Sequence, residues 1–232
     1  MIYRSIDIKW LGHSGFRIKN ALGKIIYIDP YKIPEYDGDE PDAGNEEADV
    51  IFITHSHYDH CSIEDIRKIV KNGTLIICTA DASSKFSHID ARVDIKIADS
   101  STKMQFDELG VKFWCLPAYN LNKPFHDIGE DWVGYVIDLS GVLVYHAGDT
   151  DLIPEMKALS TANIDIAFLP IGGTFTMNAG EAAKAASIIK PQLAVPMHFG
   201  TISKTGDKNE GNIFLKNCGI LGVEGRVLEI GK

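Results

Sequence analysis

Val50-Ile-Phe-Ile-Thr-His55-Ser-His57-Tyr-Asp59-His60 is the stretch on which the reading of this chain turns. It begins as a continuous apolar run and then sets three imidazoles and a carboxylate within six residues. Such a run fits a strand covered on both faces. On extended backbone His55 and His57 point the same way, and a turn at Tyr58 aims Asp59 and His60 at a second point nearby. Neutral imidazole with carboxylate suits Zn²⁺ and similar divalent ions. A histidine-rich surface turn is the competing explanation. It accounts poorly for this spacing directly after a buried strand.

Two further apolar strands end in the same kind of residue. VLVY leads into His146-Ala-Gly-Asp149-Thr, and LAVPM leads into His198-Phe-Gly200. The C-terminal ends of strands are the usual place for sites in open α/β sheets. Asp149, after Gly148, is the better ligand candidate of its loop. His146 ends the strand itself and either packs or hydrogen-bonds to a ligand.

Outside these loops, strands are predicted at 2–10, 16–19, 25–28, 50–53, 74–78, 94–97, 111–116, 132–139, 142–145, 164–169, 193–195 and 226–230. Helices are predicted from Ser62, which opens a capping box, to about Lys71, near 81–88, over 152–159, over 179–189 capped by Asn178, and near 210–217. Interleaved helices and strands imply a layered α/β protein. With 232 residues, no repeat and no long Gly/Pro/Ser linker, one domain spanning 1–232 is expected.

The net charge of −9 is concentrated. Residues 35–49 hold eight acidic groups and no Lys or Arg, leaving −1 for the remainder, so the acidity belongs to one solvated loop. No basic nucleic-acid footprint is present. The four cysteines are scattered without a CxxC pair, as in a reduced protein, and Cys61 reads as a small residue at a helix entrance. No long apolar segment or leader pattern is seen, so a cytoplasmic protein without a membrane span is expected.

HSHYDH resembles the HxHxDH signature of the metallo-β-lactamase superfamily. The likeness extends to WLGHSGF at 10–16, IDP at 28–30, AGDT at 147–150, LPIGGTFTM at 169–177 and PMHFG at 196–200. The opening motif and compact length look most like the branch of metal-dependent hydrolases related to ascorbate-6-phosphate lactonase. The resemblance implies a four-layer αββα sandwich, two mixed sheets flanked by helices. It also implies two divalent ions, Zn²⁺ first, with Mn²⁺ or Fe²⁺ also suited. His55 and His57 would hold the first ion, Asp59 and His60 the second, with Asp149 between them and His198 completing the second site. The family expects another histidine after the strand 111–116, where this chain reads Leu116-Pro-Ala-Tyr119-Asn120. His126 is the nearest replacement; an open position, Tyr119 or Asn120 are the alternatives.

His13, Tyr119 and Thr174 are expected beside the substrate or behind the ligands. Asp29 reads as ordering a turn, and His88 as a surface residue. The expected activity is hydrolysis of a small ester or lactone by a metal-bridging hydroxide, with Asp59 as the catalytic group orienting it. A phosphodiesterase on the same site is the alternative within that class. A diiron redox protein is the alternative outside it, although such relatives tend to carry Glu where His57 stands here. The expected partner is a small-molecule substrate, with a homo-oligomer left open.

Overall fold

In the computed structural model, which describes residues 1–33, 46–200 and 209–232, the chain forms two mixed sheets flanked by helices. The first sheet runs in sequence order: β1 (Ile2–Tyr3), β2 (Ile6–Gly12), β3 (Gly15–Lys19), β4 (Ile25–Ile28), β5 (Val50–Phe52), β6 (Leu75–Cys78) and β7 (Asp94–Ile97). It is antiparallel as far as β4 and parallel from β4 to β7. The second sheet holds β8 (Lys103–Phe106), β9 (Val111–Pro117), β10 (Val133–Leu139), β11 (Leu143–His146), β12 (Ile166–Pro170) and β13 (Leu193–Met197), adjacent in that order. Its β8–β11 half is antiparallel and its β11–β13 half parallel.

Strand β5 shows why the central runs are apolar throughout. Val50 and Phe52 enter the core between the sheets, while Ile51 and Ile53 enter a second core. That outer core lies under helices α1 (Ile63–Ile69) and α2 (Ala80–Ser83), which supply Ile66, Ile69 and Ala82. Between the sheets Phe16 stacks on Phe168 with centroids 3.8 Å apart, and Phe52 meets Phe113 edge-on. On the far face α3 (Ala179–Ile189) and α4 (Glu210–Ile220) pack together, and α3 buries its alanine stripe against β12 and β13. Asn178 and Glu181 form a complete capping box at the start of α3.

Several expectations are corrected. The strand predicted over 2–10 is interrupted at Arg4, whose left-handed backbone turns β1 back onto β2. The helix predicted over 152–159 is a 3-10 segment, Pro154–Thr161, and α2 passes into another, Ser84–His88. Strand β8 was not foreseen: in KMQF exposed Lys103 and Gln105 alternate with half-buried Met104 and Phe106, too short an apolar signal to stand out. Residues 226–230 form no strand and contribute only isolated bridges, Trp10–Ile230 and Ala194–Gly225 nearby. Of the acidic loop, residues 35–45 lie outside the described residues. Glu46 pairs with buried Arg17, and Asp49 accepts the backbone N–H of Ile25.

The topology decides where side chains can meet. Strands β2, β4 and β5 run in one direction, so Gly12, Ile28 and Phe52 end at the same edge of their sheet. Strands β9, β11, β12 and β13 likewise share a direction. The two edges are laced together: Val133 N–H donates to the Thr54 carbonyl, and the Tyr135 hydroxyl donates to that of Ile53 at 2.9 Å. His13, Asp29, Thr54–His60, Asp149 and His198 therefore converge from strands far apart in sequence.

Candidate metal centre

Asp149 lies at the middle of the convergence. Its Oδ1 is 3.3 Å from His60 Nε2; its Oδ2 is 3.1 Å from His198 Nε2 and 3.4 Å from His126 Nε2. Gly148, with φ +64°, lets this loop approach: a Cβ there would stand 3.2 Å from the Thr54 Cβ. On one side of Asp149, His55, His57 and His126 bring ligand atoms within 4.8 Å of one another. On the other side Asp59, His60, His198 and His13 do the same. The structure thus brings together all seven residues expected from sequence to hold metal, and adds His13.

His126 reaches the cluster because the loop before it is pinned. Asp151 accepts from Leu121 N–H and from Lys123 Nζ, while Asn120 N–H donates to the His126 carbonyl. Asn120 Oδ1 lies 3.0 Å from His126 Nδ1, and its Nδ2 donates to the Phe175 carbonyl. With Nδ1–H donated to an amide oxygen, His126 keeps its Nε2 lone pair for the centre. Asn120 thus orients the histidine. Tyr119 turns its hydroxyl to Glu155 instead, and exposed Thr174 bonds its N–H to the Gly172 carbonyl, with no contact to the cluster among the described residues.

Asp29, read from sequence as a turn former, is a hub behind the ligands. Its carboxylate accepts Thr54 N–H at 2.8 Å and Thr54 Oγ1–H at 2.6 Å, and lies 2.8 Å from His60 Nδ1. Because the Thr54 hydroxyl donates to Asp29, it must accept from His55 Nδ1, 2.9 Å away. One carboxylate therefore sets the tautomers of two histidines and leaves both Nε2 atoms facing the centre. His146 packs in the core and ties loops together: its Nε2–H donates to the Ser14 carbonyl and its Nδ1 accepts Gly148 N–H. Trp132 walls the first group, its ring 4.7 Å from both His55 and His57, with the indole N–H on Asp81.

Four residues of this region (His13, Asp29, His126 and His198) hold left-handed backbone, where side chains are seldom placed. Such strain persists only when the surroundings enforce it, and it gathers at functional sites.

The donor set fits metal ions. Two ligands each about 2.1 Å from one ion, at 90–110° to each other, lie about 3.0–3.4 Å apart, the spacing around Asp149. His60 Nε2, His126 Nε2 and Asp149 Oδ1 are buried near opposite charge yet make no aligned hydrogen bond among the described residues. Buried polar atoms rarely stay unsatisfied. Electrostatics agree. Burial, then neighbouring His60, hold His55 well below the ordinary histidine value; burial and His126 lower His57. Burial would raise Asp149, but His198 and His60 outweigh it and keep it ionised. Burial would lower His60, but Asp149 and Asp29 hold it well above its usual value. In the metal-free chain a proton on His60 thus partly offsets the two carboxylates.

Comparison with known proteins identifies the family. Residues 7–198 match the β-lactamase superfamily domain model. A UPF0173 metal-dependent hydrolase of Thermococcus onnurineus is 37% identical over 84% of this chain and 85% of its own length. One from Thermus thermophilus is 30% identical over 98% and 97%. The structure of Igni18, a metallo hydrolase from Ignicoccus hospitalis, superposes with a TM-score of 0.79 at 28% identity, covering 98% of this chain and 96% of that one. The chain belongs to the metallo-β-lactamase superfamily, and within it to the UPF0173 metal-dependent hydrolases.

Proposed function

We propose that the chain hydrolyses a small carboxylic ester or lactone at a two-ion centre, with Zn²⁺ the first expectation. In this reading His55, His57 and His126 hold one ion, Asp59, His60 and His198 the other, and Asp149 faces both. The observation that carries it is Asp149, whose two oxygens address histidines of both groups. When bound, the ions supply Lewis-acid polarisation and an acidified water.

The residues supply the rest. Burial opposes ionisation of Asp59, but its contacts with His13 and His60 hold its pKa below the ordinary carboxylate value. It is therefore a ready hydrogen-bond acceptor for the attacking water. That water adds to the carbonyl carbon, the acyl C–O bond breaks, and the alcohol oxygen leaves with a proton passed through Asp59. Trp132 seals the wall behind the first group. Half-buried Tyr31 and exposed Tyr58, edge to face at 5.9 Å, stand beside His13 and Asp59. Among the described residues Lys123 is engaged by Asp151 and the Thr176 carbonyl, Lys85 by the Ser56 carbonyl, and Lys32 lies over the Tyr31 ring. That favours an uncharged acyl group over a phosphodiester.

The test is metal analysis with a panel of p-nitrophenyl esters, lactones and bis(p-nitrophenyl) phosphate. Two ions per chain, ester or lactone turnover and its loss in Asp59→Ala support the reading. Turnover confined to the phosphodiester, or one ion per chain, overturns it.

A further inference from the structure

We propose that His13 is itself a metal ligand, so that the second ion is held by three imidazoles and two carboxylates. This rests on the two-ion reading above and adds a donor from outside the histidine-rich motif. His13 Nε2 lies 3.1 Å from Asp59 Oδ2, the spacing of two donors on one ion. Its ligand atom shares a cluster with those of Asp59, His60 and His198. The His13 and His198 ring centroids are 4.1 Å apart, and the side chain is 1% exposed.

The backbone is shaped to deliver it. A register shift in β2 between Trp10 and Gly12 precedes a left-handed turn at His13. The His13 carbonyl is gripped from two sides, by Trp10 Nε1–H at 3.0 Å and by His198 N–H at 2.9 Å. His146 holds the adjoining Ser14 carbonyl. His13 and His198 are thus locked to each other through backbone as well as facing the same point. Asp29, the other candidate donor near His60, is already committed to Thr54 and to His60 Nδ1. His13 offers Nε2 toward the cluster itself.

The competing role is a hydrogen bond that only positions Asp59. His13→Gln separates the two, because its amide N–H reaches a similar place and can donate to Asp59 but is a poor ligand. Zn²⁺ and Co²⁺ affinities of wild type, His13→Ala and His13→Gln would be measured by chelator competition, with Co²⁺ absorption spectra and circular dichroism of the metal-free forms. A ligand role predicts that both variants bind one ion at least 100-fold more weakly, keep the other, and show an altered Co²⁺ spectrum. Added imidazole should restore binding to His13→Ala. Wild-type affinity and spectrum in His13→Gln would overturn the proposal and leave a positioning role. A wild-type chain that binds only one ion would instead overturn the two-ion reading. If His13→Ala fails to fold, His13→Gln carries the test alone.

Discussion

Asp29→Asn should weaken metal binding while sparing the fold. The carboxylate makes three buried contacts, to Thr54 N–H, Thr54 Oγ1 and His60 Nδ1, at 2.6–2.8 Å. The amide keeps one oxygen for the Thr54 N–H but puts an NH₂ where Oδ2 stood. His60 Nδ1–H then loses its acceptor, and the Thr54 hydroxyl can no longer both donate to residue 29 and accept from His55. Removing an outer partner of a metal-bound histidine costs about 10–100-fold in affinity, or about 1.4–2.7 kcal/mol. One displaced donor adds about 1–3 kcal/mol of lost stability in the metal-free chain. Titration against a competing chelator gives the first number and urea unfolding the second. Affinity equal to wild type, with unfolding shifted as expected, would refute the argument that Asp29 sets the histidine tautomers.

Three more outcomes follow from the same geometry. His126→Ala should remove one ion and Asp149→Ala should disturb both, read by elemental analysis; full metal content in Asp149→Ala contradicts its central position. Metal loading near pH 7 should release protons, because His60 is held protonated by Asp149 and Asp29 in the metal-free chain and must become neutral to bind. Calorimetry in buffers of different ionisation enthalpy reads this, and a zero proton count opposes it. The metal-free chain should lose stability on acidification. His13, pushed down to about 4 by burial and then by His198, and likewise His55 and His146, bind fewer protons folded than unfolded. Their contribution is therefore full above the ordinary histidine value near 6.5 and lost as pH falls below it. His13 alone accounts for about 2 kcal/mol at pH 5. His60 acts oppositely, its share complete below 6.5 and lost at higher pH, but it is outnumbered. An unchanged or higher Tm at pH 5 than at pH 7.5 would contradict this.

How much of this was legible in the chain itself depends on whether the information is local. The two-sided apolar runs of β5, β6 and β12 report burial directly, because every side chain of a strand covered on both faces meets protein. His55, His57, Asp59 and His60 are legible because their spacing alone brings them together, and Asp149 and His198 because each follows such a strand. Strand β8 was not legible, since its four residues hold only two apolar side chains, both half-buried, and its pairing with β9 supplies what its composition lacks. In sequence Asp29 looks like a turn residue, and His13 like a residue beside the substrate or behind the ligands. Their roles arise from partners 25 to 46 positions away, Thr54, His60 and Asp59. His126 is legible only as the nearest histidine after β9, because what brings it to the cluster is the pinning of its loop by Asn120 and Asp151. Local residue order sets which chemistry the strand ends carry. The parallel alignment of β2, β4 and β5 with one another, and of β9, β11 and β13, decided which of those ends meet. A carboxylate becomes a ligand or a support according to the donors facing it across the sheets, and that is set by packing.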